Sequence, residues 1–428
     1  MLSVNVNSAK ACVSVLLAVA ALSGVSGCSH LSPLHANTAD NRKRSVGLGD
    51  GYQLAFIEFG EQGSYQDFSQ LQNAIELVKK TPRPLVITYV HGWHNNAGSA
   101  DVSRFSQWLS ELSKTEAIRA SGFRLIGIYF GWRGELTTAP IIRQLTFYNR
   151  KAAAERLASN FDCFDAIAAI SAAARSSHQP REQYTVLIGH SFGGLIIERS
   201  VAHAINAEIH GQASMDRALP ADLIMMVNPA SDSILTRQIF TALHVRHTED
   251  TRPFLVSLTS VGDGATGTIF PLGTSLAATT KAFNNVPVPG YSKTESERRF
   301  FTSTPGHNSL LINYETQKQD KTINSRGSNA IEMNLSHNLQ GHVFTLDGPA
   351  GKLELWKLNR ITNVDIPYWD VKVDPSIIRD HGDIWNPRAR AMMAAIFRIT
   401  NPMLNRNVKP RAQLQQPPDL KRMHLPSQ

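Results

Sequence analysis

From Leu54 to Val373 the chain alternates short, unbroken apolar runs with longer segments patterned at the helical period. That alternation constrains its architecture more than any other feature. The runs fall at 54–59, 85–90, 123–130, 184–189, 222–228, 254–260 and 368–373. Continuous apolar runs without polar alternation are what strands covered on both faces require. The sequence therefore predicts an α/β fold, a mostly parallel sheet with helices on both faces. Helices are expected over 101–114, 150–174, 192–209 and 387–399. The stretch 264–360 breaks the rhythm, with few helical patterns and one hairpin, "HVFTLDGPAGKLELWKL". It is expected to be a long insertion before the last strand, set over the site as a lid or cap.

One strand-to-helix junction carries chemistry. "YTVLI" leads into Gly189-His190-Ser191-Phe192-Gly193, and a helical pattern follows. A serine in a G-x-S-x-G turn is projected from the strand end, and the flanking glycines let strand and helix approach closely. The helix N-terminus behind it favours developing negative charge. A second junction, "LVITYVHGWHNNAG", places His91-Gly92-Trp93 after another apolar run, where the glycine lets backbone N–H groups turn toward a substrate carbonyl.

On these motifs the chain resembles the α/β-hydrolase superfamily. "HGWHNN", "RFSQWLSEL" and "IYFGWRGE" resemble a bacterial branch of it, over about Leu85 to Asn228. The resemblance implies an α/β-hydrolase fold in which Ser191 is the nucleophile of a serine esterase or lipase. The backbone N–H groups of Trp93 and Phe192 would form the oxyanion hole beside Gly92. His91 would be a structural residue of its loop.

In that superfamily the acid and the histidine follow the serine in the chain. Asp263, after the run at 254–260, is the first choice for the acid, and Asp232, after the run at 222–228, is the alternative. His381, between the last apolar run and a final helix, is the expected base; His307, His337 and His342 are rivals inside the insertion. The implied activity is cleavage of carboxylic esters, acyl or lipid, through an acyl-enzyme. A catalytically inactive envelope binding or scaffold protein on the same fold is the alternative.

The first 28 residues carry one lysine, an apolar stretch over 11–22 and small residues before Cys28, the pattern of an export signal. "VSGC" resembles the lipobox of bacterial lipoproteins, implying lipid attachment at Cys28 and a membrane anchor in the cell envelope. Ser29 resembles the residue that directs sorting to the outer membrane. Residues 29–45 are expected to be a flexible tether, 46–400 the hydrolase domain and 401–428 a disordered, basic, Pro-rich tail. With Cys12 in the leader and Cys28 lipidated, Cys163 would have no disulfide partner.

The net charge of +8 is concentrated at the two ends, and no nucleic-acid partner is expected. Gly262 to Gly267 satisfies G-x-G-x-x-G, but neither a clean helix nor a second acidic strand end follows, so no dinucleotide cofactor is expected. "HVRH" at 244–247 has no partner cluster, and no metal is expected.

Overall fold

The computed structural model describes residues 33–35, 45–137, 146–179, 182–209, 219–246, 252–324, 341–347, 352–401 and 403–404. Cys28, the leader, nearly all of the tether, His337 and the tail from 405 onward lie outside the described residues.

In chain order the strands are β1 (Val46–Leu48), β2 (Tyr52–Glu58), β3 (Pro84–Val90), β4 (Arg124–Gly131), β5 (Tyr184–His190), β6 (Leu223–Val227), β7 (Leu255–Ser260), β8 (Asn285–Pro287), β9 (Thr294–Ser296), β10 (Tyr314–Asn324), β11 (Gly341–Asp347), β12 (Lys352–Arg360) and β13 (Tyr368–Val373). Among the described residues eleven of them form one sheet in the order β1-β2-β4-β3-β5-β6-β7-β13-β10-β12-β11. From β2 to β10 every neighbouring pair is parallel; β1, β12 and β11 run antiparallel to their neighbours. β3, β5, β6 and β7 are buried at every position, which is why their sequences are apolar without alternation.

The helices are α1 (Phe68–Lys80), α2 (Ala100–Ser113), α3 (Glu116–Ser121), α4 (Phe147–Ser159), α5 (Phe161–Ser177), α6 (Phe192–Ile209), α7 (Ile234–Arg246), α8 (Phe270–Ala277), α9 (Glu297–Phe301) and α10 (Pro387–Thr400). Leu71, Leu157, Ile170, Leu195 and Phe240, from α1, α4, α5, α6 and α7, share one apolar core. Phe105, Trp108, Ile118 and Met392, from α2, α3 and α10, share the other, so the sheet is covered on both faces.

Three features differ from the sequence expectation. The helix expected over 150–174 is two helices, α4 and α5. Asn160 is extended between them (φ −80°, ψ 138°) and caps α5 by accepting from the Asp162 N–H at 2.9 Å. Helices α1, α3 and α7 and, within the insertion, α8 and α9 have no counterpart in the expected set; α1 is capped by Asp67, whose carboxylate accepts from Ser69 N–H at 2.9 Å.

The third difference is in the insertion, which is divided in its placement. The turn at Thr304–Gly306 is tied to β7 and β13, Thr259 Oγ1 donating to Pro305 O at 3.0 Å and Gly306 N–H to Asp370 at 2.9 Å, whereas β10, β12 and β11 extend the central sheet past β13. Asn313 leads that extension: its side chain donates to Tyr368 O at 2.9 Å and accepts from Asp370 N at 2.8 Å. An edge strand rich in unpaired backbone groups is thereby covered.

Candidate active site

Ser191 sits between β5 and α6 with φ 56°, a left-handed conformation that costs a non-glycine residue about 1–3 kcal/mol. The turn is held by Ser191 N–H donating to Val227 O at 3.1 Å, while Ser191 O accepts from Gly194 N–H and Ala230 N–H, each at 3.0 Å. Gly193 allows the crossing beneath β3: a Cβ there would lie 2.0 Å from Val90 O. Gly92 is equally constrained, since its Cβ would stand 2.7 Å from Ser191 Cβ.

Three side chains from distant parts of the chain meet here. Ser191 Oγ lies 2.7 Å from His381 Nε2, and His381 Nδ1 lies 2.8 Å from Asp263 Oδ2. A carboxylate only accepts, so His381 Nδ1 must carry the proton, which leaves Nε2 to accept from the Ser191 hydroxyl. Asp263 is fully buried, and burial alone would raise its pKa. Hydrogen bonds from His381 and Thr266 outweigh that and hold the carboxyl below its ordinary value. Asp263 also caps the helical turn that follows, accepting from Ala265 N–H at 2.9 Å, Thr266 N–H at 3.1 Å and Thr266 Oγ1 at 2.5 Å.

The loop bearing His381 is fixed by two residues that sequence reasoning did not single out. Asn228, at φ 46°, donates through Nδ2 to His381 O at 3.1 Å and Asp380 O at 3.3 Å, and its Oδ1 accepts from Ser260 N–H at 2.9 Å. His190 Nε2 is 2.8 Å from His381 O. Burial, reinforced by the neighbouring His381, pushes His190 down to about 4, so near neutrality it is an uncharged imidazole donating to that carbonyl. Farther along, Ser260 Oγ donates to Ile378 O, and Asn386 caps α10 while donating to Ile377 O at 2.9 Å. Backbone carbonyls are the targets throughout, and these leave no mark in sequence.

The other expected residues are placed as follows. Asp232 does not reach His381; its carboxylate takes Arg199 at 3.0 Å and lines a separate cleft of about 1330 Å³ between α4, α5, α6 and α7, which excludes Ser191, His381 and Asp263. His91 is buried: Trp132 N–H donates to its Nε2 at 3.1 Å, Nδ1 faces Gly92 O at 2.9 Å, and burial lowers its pKa. His342 packs its ring on Trp369. His307 lies nearer the site, against the turn after Asp263, where a Cβ on Gly267 would meet its ring at 2.8 Å; burial lowers its pKa as well. Cys163 is free and buried, with a thiol pushed up to about 12 by burial, so it is poorly suited to react.

Phe192 is the first residue of α6, so its N–H has no carbonyl one turn back. Its ring meets Phe147, which in turn meets Trp93, whose indole N–H donates to Thr146 Oγ1 at 3.2 Å. An aromatic wall thus flanks Ser191. Among the described residues no cluster of three or more His, Cys, Asp or Glu side chains could hold a metal ion.

Below the strand ends two carboxyl groups are buried. Glu198 accepts from Thr236 Oγ1 at 2.6 Å and Asp370 from Gly306 N–H at 2.9 Å; burial pushes each up to about 7. The folded state therefore holds these protons more tightly than the unfolded chain does. The associated stability is full below about pH 4 and is lost as pH rises through about 7, by about 3 kcal/mol for Glu198 and about 4 kcal/mol for Asp370. Glu198→Gln should accordingly flatten the fall in melting temperature between about pH 5 and pH 8.5. Identical pH profiles for variant and parent, followed by thermal melts, would show that Glu198 does not titrate in that window.

No protein-family model matches this sequence, and no curated protein sequence matches it. Among solved structures, phospholipase PlaB from Legionella pneumophila, in complex with thio-NAD, is similar at 13% identity and a TM-score of 0.28. The similarity covers 76% of this chain and 60% of that one, so this chain spans about three-fifths of the length of the structure it resembles.

Proposed function

We propose that this protein is a serine hydrolase with an α/β-hydrolase-like fold that cleaves carboxylic esters through an acyl-enzyme at Ser191. The observation that carries the proposal is the continuous hydrogen-bond chain from Ser191 Oγ through His381 to Asp263, at 2.7 and 2.8 Å, with the serine held at φ 56°. His381 Nε2 takes the serine proton as Oγ attacks the carbonyl carbon, then delivers it to the leaving alcohol. Asp263 keeps the other ring nitrogen protonated and stabilises the imidazolium. The N–H groups of Phe192 and Trp93 receive the carbonyl oxygen as it becomes an oxyanion. In the second half a water, deprotonated by His381, releases the acid. Acyl or lipid esters beside a membrane are the proposed substrates, because Cys28 as a lipidated anchor in the cell envelope would hold the domain next to them.

A fluorophosphonate probe tests this directly. The full chain should be labelled, Ser191→Ala should not be, and His381→Ala should be labelled far more slowly. A folded parent that resists the probe would remove the hydrolase proposal and favour a binding scaffold.

The clamp on the His381 loop makes a second prediction. Asn228→Ala leaves the His381 carbonyl to His190, frees the Asp380 carbonyl and orphans Ser260 N–H, costing about 2 kcal/mol of stability. It should also lower kcat for a soluble ester by about tenfold to a hundredfold with KM little changed, because the base is misplaced rather than lost. Thermal melts and steady-state kinetics check both; a change confined to KM would place Asn228 in substrate binding instead.

A further inference from the structure

The turn capped by Asp263 continues as one helical segment, a π-turn over Ala265–Ile269 running directly into α8. Its outward residues are Ile269, Leu272 and Leu276, which are 60%, 68% and 72% exposed. Their spacing of three and four residues puts them in one stripe along the helix. Val261, just before Asp263, is 50% exposed, and Tyr148, 60% exposed, lies across from α8, its hydroxyl 2.7 Å from where a Cβ on Gly273 would be. Residue 147, the neighbour of Tyr148, is the phenylalanine packed on Phe192. The segment bearing the stripe thus begins at the turn capped by Asp263 and lies beside Tyr148, whose neighbour Phe147 packs on Phe192. Scattered single apolar residues on a surface are ordinary, whereas a contiguous row of large aliphatics beside a site marks a contact surface.

Its rim is basic. From Gly264 to Thr294 the chain has no acidic residue, and its only charges are Lys281 and Lys293. Lys281 ends the helical segment and lies over the Phe301 ring at 5.6 Å, which ties that end to α9 and its exposed Arg298. Glu295 is engaged by Arg299 at 3.0 Å, so its charge is offset. An uncharged aliphatic row with cations at its end is complementary to a lipid–water surface carrying anionic headgroups: the aliphatics enter the acyl boundary and the cations meet phosphate.

We propose that the face formed by Val261, Ile269, Leu272 and Leu276, with Lys281 and Arg298 on its rim, docks the protein on an anionic lipid surface and turns the Ser191 site toward it. This proposal rests on the ester-hydrolase proposal for that site and names where its substrate is met. Docking is separate from chemistry: it lies in side chains that touch neither Ser191, His381 nor Asp263.

The experiment uses the full chain with Cys28→Ala, so that no attached lipid contributes, and compares it with the same chain carrying Ile269→Ser, Leu272→Ser and Leu276→Ser. The probes are phosphatidylglycerol/phosphatidylcholine vesicles, pure phosphatidylcholine vesicles, and p-nitrophenyl butyrate as a soluble ester. The triple variant should bind the mixed vesicles at least about tenfold more weakly and hydrolyse vesicle lipid correspondingly less, with unchanged turnover of the soluble ester. Lys281→Glu with Arg298→Glu should weaken binding to the mixed vesicles and leave binding to pure phosphatidylcholine unchanged. The added fluorescence of Leu272→Trp should be quenched by lipids brominated on their acyl chains, which reports the contact even if the apolar leader binds vesicles on its own.

No added quenching in the Leu272→Trp variant overturns the docking proposal. So does a parent dimer that the triple variant converts to monomer, because a second copy would then be the occupant. Quenching and vesicle binding retained in a parent that hydrolyses neither ester would remove the hydrolase proposal alone.

Discussion

Ser191→Ala, His381→Ala and the double variant should all fall to the same floor of ester turnover, about 10⁵–10⁶-fold below the parent in kcat. In the proposed mechanism nucleophile and base act as one unit, through the 2.7 Å contact between Ser191 Oγ and His381 Nε2. Once either is missing, the other has nothing to deliver or receive. The floor should remain above the rate in buffer by about 10³-fold, because the oxyanion donors and the binding surface survive both changes. Steady-state kinetics on p-nitrophenyl butyrate measure this. Losses that multiply in the double variant would mean that the two residues act independently, and the acyl-enzyme scheme would fail.

Asp263→Asn should lower kcat by about 10⁴-fold while leaving the protein folded. Asparagine keeps one oxygen to cap Ala265 and Thr266, so the turn at the start of the π-helical segment survives. The carboxylate that fixes the His381 tautomer does not. With an amide N–H facing Nδ1, the ring is favoured in the form that carries its proton on Nε2 and cannot accept from Ser191. Asp232→Asn is the matched control: its partner is Arg199, and turnover should change less than about twofold, a surface-pair effect. A large loss in Asp232→Asn with little in Asp263→Asn would reverse the assignment of the acid. Circular dichroism and thermal melts separate either result from misfolding.

The proposed docking face and the Ser191–His381–Asp263 hydrogen-bond chain share one residue. Asp263 orients His381 on one side and caps the segment that bears Ile269, Leu272 and Leu276 on the other.

The strands were legible because burial on both faces forces unbroken apolar runs. All seven runs coincide with strands to within about two residues at each end. The turn at Ser191 was legible for a related reason: the close crossing beneath β3 admits only glycine at 193, so the steric demand is written as residue type. The chain order of the resembled superfamily, with the flanking strand and helix, pointed to His381, whose Nε2 the structure places 2.7 Å from Ser191 Oγ. The break at Asn160 was less visible, since an asparagine inside an otherwise helical pattern caps a helix only when the chain before it turns away.

Which carboxylate lies beside His381 was not decided by local sequence pattern alone. Asp232 and Asp263 each follow a buried strand closely, and local pattern is the same for both. Only the packed sheet, with β7 beside β13, brings one loop within 2.8 Å of His381 and turns the other toward Arg199. The grip of Asn228 and His190 on the His381 loop, and the use of β10 to extend the sheet, belong to the same category. Their partners are backbone groups far away in the chain, and a backbone carbonyl looks alike at every position. The amino-acid sequence by itself determined the elements and the turn that presents Ser191, because burial and steric limits act residue by residue. Tertiary structure alone decided the partners, because hydrogen bonds across long separations depend on which strand ends become neighbours.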